Sequence, residues 1–225
     1  MLDLTSEEVR ILGCLAEKEA TTPDNYPLTV NSLTSACNQS TNRHPVVRYT
    51  EGEVTAALTH LRELGFTRIV YSQSNRAPKH RHVLHEQLKL EPAELAALGV
   101  LMLRGPQTVG EVKGRTERIF AFADLAHTEA TLDALAARED PLVVRLARRP
   151  GQKDARYAHL IGGPVDAESF GDEDAGGGLG GSAATSGIGA RAERVADLEG
   201  RVAELESRLA ELSTVVDRLR PLLDD

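Results

Sequence analysis

The chain has 225 residues, few aromatic side chains, no tryptophan and a formal net charge of −8. Residues 1–165 hold 20 basic and 20 acidic side chains, so the whole negative excess lies in residues 166–225. An acidic tail disfavours loose phosphate binding in that part of the chain, whereas the basic residues of the neutral body cluster locally. The length suits two small domains and an appendage.

The sequence predicts a cytoplasmic protein that makes no contact with a membrane. No stretch approaches the roughly 18 apolar residues that a membrane span needs, and the first residues have no basic segment before an apolar run. Cys14 and Cys37 lack metal-ligand spacing and fall on apolar helix faces. We therefore expect both to be small buried residues in a reducing compartment.

Three helices are predicted in the first part of the chain. Capping boxes begin the first helix at Thr5 and the third at Thr50, and Thr29 caps a short second helix. The third helix ends at Leu64, where Gly65 supplies a left-handed stop. Apolar side chains at helical spacing should face the core. They are Val9, Ile11, Leu12, Leu15, Ala16, Val30, Leu33, Cys37, Val54, Leu58, Leu61 and Leu64.

The second part of the chain repeats the three helices. The first opens at Pro92, a favoured first helical position, and stops before Gly105. Thr108 begins another capping box, and the third helix spans residues 124–138. The side chains predicted to face inward are Leu95, Leu98, Met102, Leu103, Leu125, Leu132 and Leu135, with Thr128 and Arg138 on the exposed face.

An extended hairpin with a polar, basic tip follows each set of helices. The strand pattern covers residues 66–71 and 80–84 in the first hairpin, and 142–146 and 156–161 in the second. The returning segments are alike, because Lys-His-Arg-His in the first corresponds to Arg-Tyr-Ala-His in the second. Such internal similarity indicates that one structural unit occurs twice.

Three helices followed by a two-stranded wing is the plan of the winged helix, a helix-turn-helix variant that docks on nucleic acid or on protein. The predicted fold class is therefore α+β and mainly helical. We expect tandem winged-helix domains at residues 1–88 and 89–165.

The remainder of the chain has a different composition. Residues 166–190 are acidic and then rich in Gly, Ser and Ala, which predicts a disordered linker. Residues 191–223 carry apolar side chains in strict three-four alternation, which predicts a coiled-coil helix and a homodimer. The alternative is a lone amphipathic helix packed on the body, although such a helix usually has a wider apolar face. The seam consists of Val195, Leu198, Val202, Leu205, Leu209, Leu212, Val216 and Leu219.

Several segments resemble the YceH-like family of bacterial tandem winged-helix proteins. They are Pro-Asp-Asn-Tyr-Pro-Leu-Thr at 23–29, Ala-Cys-Asn-Gln-Ser-Thr-Asn-Arg-His-Pro-Val at 36–46, Leu-Arg-Gly-Pro-Gln-Thr at 103–108 and Arg-Tyr-Ala-His-Leu at 156–160. The resemblance covers residues 4–162. It implies two winged-helix domains in a bacterial cytoplasmic protein, and it implies no activity because the family is uncharacterised.

Basic, amide and hydroxyl side chains that can contact nucleic acid occur in the loop before the first domain's third helix, on that helix, and on both wings. They are Asn42, Arg43, Arg48, Thr55, Thr59, Arg62, Arg76, Lys79, Arg81, Arg145, Arg148, Arg149, Lys153 and Arg156. The alternative for the wings is a solvated hairpin whose charges keep a strand edge soluble. Asn42 and Arg43 can instead hold their loop through bonds to the backbone.

The histidines at positions 80, 82 and 85 invite comparison with a metal site, because alternate strand residues share a face. No third ligand is placed securely, so we expect surface histidines, no metal and no cofactor. The chain has no nucleophile elbow, phosphate loop or metalloprotease motif. The leading hypothesis is a dimeric, non-enzymatic protein that binds double-stranded DNA. The alternative is a scaffold that grips a protein partner, and a small-molecule enzyme comes third.

Overall fold

The computed structural model describes residues 2–71, 77–148 and 153–165. About half of these residues are helical, and the five strands in the described ranges form two small antiparallel sheets. The predicted linker and coiled-coil seam lie outside the described residues. Within the described ranges, every helix is too short or too polar to cross a membrane.

The first half of the body contains three main helices, a hairpin and a short fourth helix. They are α1 (Ser6–Thr21), α2 (Val30–Cys37), α3 (Glu51–Glu63), β1 (Thr67–Val70), β2 (Lys79–His82) and α4 (Leu84–Gln87). The capping boxes predicted at Thr5 and Thr50 are confirmed, since each threonine accepts a backbone N–H and each partner glutamate accepts in return. Gly65 has a φ of +82°, which confirms the left-handed stop.

The second half has the same succession of elements. They are α5 (Pro92–Arg104), β3 (Gln107–Thr108), α6 (Val109–Thr116), α7 (Leu125–Ala136), β4 (Val143–Leu146) and β5 (Arg156–His159). Thr108 forms the predicted capping box with Glu111. The Asp124 carboxylate accepts the N–H of His127 and so starts α7.

The two sheets are built alike. The strands β1 and β2 pair antiparallel, with Thr67 opposite His82, and Leu28 adds an isolated bridge to His80. In the second half the order is β3-β5-β4, so a segment between the first two helices again pairs with the returning strand. The predicted correspondence between the two returning segments is confirmed, because they are β2 and β5.

One hydrophobic core joins the halves, and its main internal contact is between α1 and α5. Gly13 on α1 makes this contact close, because a Cβ atom there would lie 2.9 Å from Leu103 Cγ and 3.3 Å from Met102 Cβ. Cys14 and Cys37 are both free and fully buried, which confirms their prediction as small buried residues.

Two helix-end leucines were predicted wrongly. Leu64 is 44% exposed, because α3 ends at Glu63 and Leu64 is its C-terminal cap. Leu125 is 55% exposed, because it is the first residue of α7, and Phe122 in the preceding loop is buried in the core.

Three other expectations need correction. Thr128 is buried rather than exposed, since its hydroxyl donates to the Asp124 carbonyl on the inner side of α7. The returning strand of the first hairpin covers Lys79–His82 rather than 80–84, because the chain turns at Val83 into α4. The strand β5 likewise ends at His159 rather than at residue 161.

Candidate nucleic-acid interface

The loop between α2 and α3 is fixed to the body by side chains. Asn38 clamps its two ends together, because its amide donates to the Tyr49 carbonyl at 2.8 Å and its Oδ1 accepts the Tyr49 N–H at 2.7 Å. Arg104 donates to the side-chain oxygen of Asn42, and Arg10 donates to the Pro45 carbonyl at 2.6 Å. This loop therefore presents a preorganised surface rather than an adaptable one.

Arg43 is the interior anchor of the same loop. Its guanidinium makes a two-point contact with the Glu17 carboxylate at 2.6 and 3.1 Å and donates to the Ala36 carbonyl at 3.1 Å. Burial works to lower the pKa of Arg43, but the Glu17 carboxylate and the Cys14 sulfur together outweigh it, so the pKa of Arg43 is raised. Because this side chain is buried and already paired, it is not available to a ligand.

The helix α3 presents the expected polar face. Thr55, Thr59 and Arg62 are all exposed. The two threonine hydroxyls donate to backbone carbonyls of their own helix, at 2.7 and 2.9 Å. Two of the acidic residues on this helix also have local partners, since Glu51 accepts from Asn31 and Glu53 completes the capping box. Because those side chains are engaged locally, Arg62 is the side chain of this face that can contact a phosphate.

In the first hairpin, two arginines on the strands contact the same carboxylate. Arg68 and Arg81 lie 2.9 and 3.4 Å from the two oxygens of Glu86. Lys79, which begins β2, is half-buried and forms no ion pair in the described part of the chain. Arg76 lies outside the described residues. The described part of this hairpin therefore offers a phosphate little uncompensated charge.

Strand cations of the second hairpin also meet carboxylates from the helices. Arg145 lies 3.4 Å from Glu129 and stands over the Tyr157 ring, 5.6 Å from its centroid. Arg156 lies 3.6 Å from Glu111. Burial, with the hydrogen bond to Asp133, raises the pKa of Tyr157 to about 12. These contacts fix the base of the hairpin to α6 and α7.

The end of the second hairpin carries exposed cations that, unlike Arg145 and Arg156, contact no carboxylate among the described residues. Arg148 and Lys153 are exposed and have no ion-pair partner among the described residues. With Arg145 and Asp154 they line an open cleft of about 530 Å³. Arg149 lies outside the described residues. Arg48, in the loop before α3, resembles Arg62 in being a predicted contact that is exposed and has no ion-pair partner within the described ranges.

The expectation of surface histidines at positions 80, 82 and 85 was wrong for the first two, which are buried, and the nearby carboxylate of Glu19 was missed by sequence reasoning. His82 is fully buried, and its Nε2 lies 2.8 Å from an oxygen of Glu19 near the end of α1. The His85 ring is perpendicular to the His82 ring, with centroids 5.8 Å apart. His80 is also buried but pairs with Leu28 through its backbone instead of joining this cluster. Glu19 lies 63 positions before His82, so spacing along the chain gave no signal.

The fold and these surfaces define a mixed α/β body, mainly helical, with two similarly ordered halves and cations at the end of one hairpin. A family model described as a protein of unknown function, DUF480, matches residues 4–152. The chain therefore belongs to that family, which confirms the predicted family resemblance. Relatives carrying the name UPF0502 occur in several bacteria.

Three of these relatives illustrate the extent of the similarity. A UPF0502 protein of Geobacter sulfurreducens is 53% identical over 163 residues, which is 72% of this chain and 74% of the relative. The UPF0502 protein YceH of Escherichia fergusonii is 46% identical over 177 residues, covering 76% and 82%. A UPF0502 protein of Burkholderia vietnamiensis is 47% identical over 176 residues, covering 78% and 74%.

Proposed function

We propose that this protein is a non-enzymatic, cytoplasmic DNA-binding protein of the winged-helix type. Each half would be one winged-helix domain, and phosphates would be contacted mainly through the second wing. The observation that carries the proposal is the pair of exposed cations Arg148 and Lys153, which have no ion-pair partner among the described residues, whereas Arg145 and Arg156 of the same hairpin meet carboxylates. Contacts of this kind position a protein on the duplex without reading its sequence.

Arg48 and Arg62 extend the proposed contact surface. Both are exposed in the helix-turn-helix region of the first half and lack ion-pair partners among the described residues. A homodimer formed through the heptad seam at 191–223 belongs to the same proposal. It would present two copies of each wing, and two weak phosphate-binding surfaces joined in this way bind with higher avidity.

The competing function is a scaffold for a protein partner. Its support is the acidic residues on α3 together with isolated exposed apolar side chains, of which Tyr71 at 79% and Val46 at 58% are the most exposed. Single exposed apolar residues are common on protein surfaces, so they weigh less than a contiguous patch would.

The test is binding of the full chain to two labelled duplexes of unrelated sequence at low ionic strength. Arg148→Ala combined with Lys153→Ala should weaken binding by similar factors on both duplexes, because phosphate contacts carry no base information. A matched control, Lys89→Ala with Arg118→Ala, removes two exposed charges outside both hairpins and should bind like the wild type. Wild-type protein that binds neither duplex would favour the scaffold.

A further inference from the structure

The Glu19, His82 and His85 side chains, here called the Glu–His–His cluster, have the composition of a metal site. Each offers one ligand atom, and the three atoms lie within 4.8 Å of one another. Two imidazole nitrogens and one carboxylate oxygen suit Zn²⁺ and similar divalent transition metals. Three protein ligands leave a fourth position for water.

The buried member of the cluster is the independent evidence. His82 Nε2 is fully buried and lies 2.8 Å from Glu19 Oε2, but the pair does not have the alignment of a hydrogen bond. A buried polar nitrogen is rarely left without a well-aligned partner, because its desolvation then goes uncompensated. A metal ion held between the nitrogen and the carboxylate would supply that partner.

We propose that the Glu–His–His cluster binds one divalent transition-metal ion, and that Zn²⁺ is the ion whose ligand preference the cluster matches best. With metal–ligand bonds of about 2.1 Å, tetrahedral ligand atoms are roughly 3.4 Å apart. Glu19 Oε2 and His82 Nε2 lie 2.8 Å apart, so they would have to separate by about 0.6 Å to admit the ion. The exposed His85, whose ligand atom lies within 4.8 Å of the other two, would have to approach them by rotation of its side chain. Glu86 is left out of the ligand set, since its oxygens contact Arg68 and Arg81.

Neighbouring groups fix the buried ligand in place. The backbone N–H of His82 donates to the Tyr26 hydroxyl oxygen at 2.9 Å, and the backbone N–H of Leu84 donates to the ring nitrogen His82 Nδ1 at 3.2 Å. Metal binding at Nε2 moves the ring proton to Nδ1 and gives up the long bond from Leu84. That loss opposes binding, so we expect micromolar affinity rather than the tight binding of a structural zinc site.

A bound ion would tie three elements of the first half together. Glu19 lies in the last turns of α1, His82 ends β2, and His85 lies in α4. The site would therefore brace the first hairpin against α1, and the metal would stabilise the folded protein by binding the native state alone.

The experiment is titration of the metal-free full chain with Zn²⁺ by calorimetry, followed by Co²⁺ absorption spectroscopy. We expect one site whose affinity falls at least about tenfold in Glu19→Gln and in His85→Gln, as removal of one ligand requires. Both substituted side chains are partly exposed, so the fold should survive. His44→Gln removes an exposed histidine elsewhere and should leave the affinity unchanged.

Co²⁺ bound to the wild type should give visible absorption bands of a four-coordinate site with nitrogen and oxygen ligands. Both cluster variants should lose those bands, whereas the His44 variant keeps them. The proposal is overturned if the wild type binds no Zn²⁺ at micromolar concentrations. It is equally overturned if both cluster variants bind as tightly as the wild type, since the metal would then lie elsewhere.

Discussion

The fourth residue of each returning strand is a histidine, and the two occupy different environments. His82 in the first half lies 2.8 Å from the Glu19 carboxylate. His159 in the second half has its Nδ1 buried with no hydrogen-bond partner among the described residues. The same backbone plan thus places a buried histidine beside a carboxylate in one half, and in the other a histidine whose buried Nδ1 has no such partner within the described ranges.

The difference extends to the charged side chains around the two hairpins. In the first half, Arg43 and His82 are buried and contact carboxylates of α1. In the second half, Arg148 and Lys153 stand outward at the end of the hairpin. Duplicated folds can divide tasks in this way, because the core pattern fixes the elements while surface positions vary freely.

The largest expected effect is the loss of the interior anchor of the first half. Arg43→Ala should lower the free energy of unfolding by about 3–5 kcal/mol, because Glu17 would keep a poorly solvated charge with only the longer 3.6 Å contact to Lys18. Denaturant unfolding of the full chain measures this change. Arg48→Ala removes an exposed cation of the same loop and should change stability by less than about 0.5 kcal/mol. Equal effects of the two substitutions would contradict the anchor role.

The second prediction concerns how the stability of the protein depends on pH through His159. Burial lowers the pKa of His159 from 6.5 to about 4. Between pH 6.5 and pH 4, His159 is therefore protonated in the unfolded chain but neutral in the folded chain. The contribution of neutral His159 to stability is complete above pH 6.5 and is lost as the pH falls toward 4. The total loss is about 3 kcal/mol.

Replacement of the ring should remove that dependence. His159→Phe keeps a planar ring and has no titrating group, so its stability should fall less steeply than that of the wild type between pH 6.5 and 4. Unfolding curves at several pH values compare the two slopes. Parallel slopes would mean that His159 takes up its proton in the folded protein as readily as in the unfolded one.

The third prediction concerns the close contact that joins the halves. Gly13→Ala should destabilise the protein by about 1–2 kcal/mol, because the new methyl group meets Leu103 Cγ at 2.9 Å and overpacks the core. Gly110→Ala on α6 is the matched control, since nothing lies within 4 Å of the added methyl. It should stabilise by up to about 1 kcal/mol through helix propensity. Thermal unfolding distinguishes the opposite signs.

Local signals were enough to predict much of the fold. The capping boxes at Thr5, Thr50 and Thr108 and the stop at Gly65 depend on residues next to one another, and all four are confirmed. The short helix α4 was not predicted, because its four residues are too few to show a helical period. Leu125 was misplaced because the residue lies at a helix end, where periodicity does not determine burial.

The candidate sites were less predictable because they depend on distant residues. The Arg43–Glu17 contact joins positions 26 apart, and the Glu19–His82 contact joins positions 63 apart. The sequence showed that these side chains can bind ligands, but it contained no information on which had partners inside the fold. The cations of the wings illustrate this, since Arg145 and Arg156 meet carboxylates whereas Arg148 does not within the described residues.

The most direct test of the central claim is the salt dependence of duplex DNA binding. The logarithm of the affinity of the wild type should fall linearly with the logarithm of the salt concentration. Loss of Arg148 and Lys153 should make that slope shallower by about two units, one for each lost phosphate contact. A slope that is the same in the double variant and in the wild type would contradict phosphate binding by the second wing. Absence of any salt-dependent binding by the wild type would contradict DNA binding altogether.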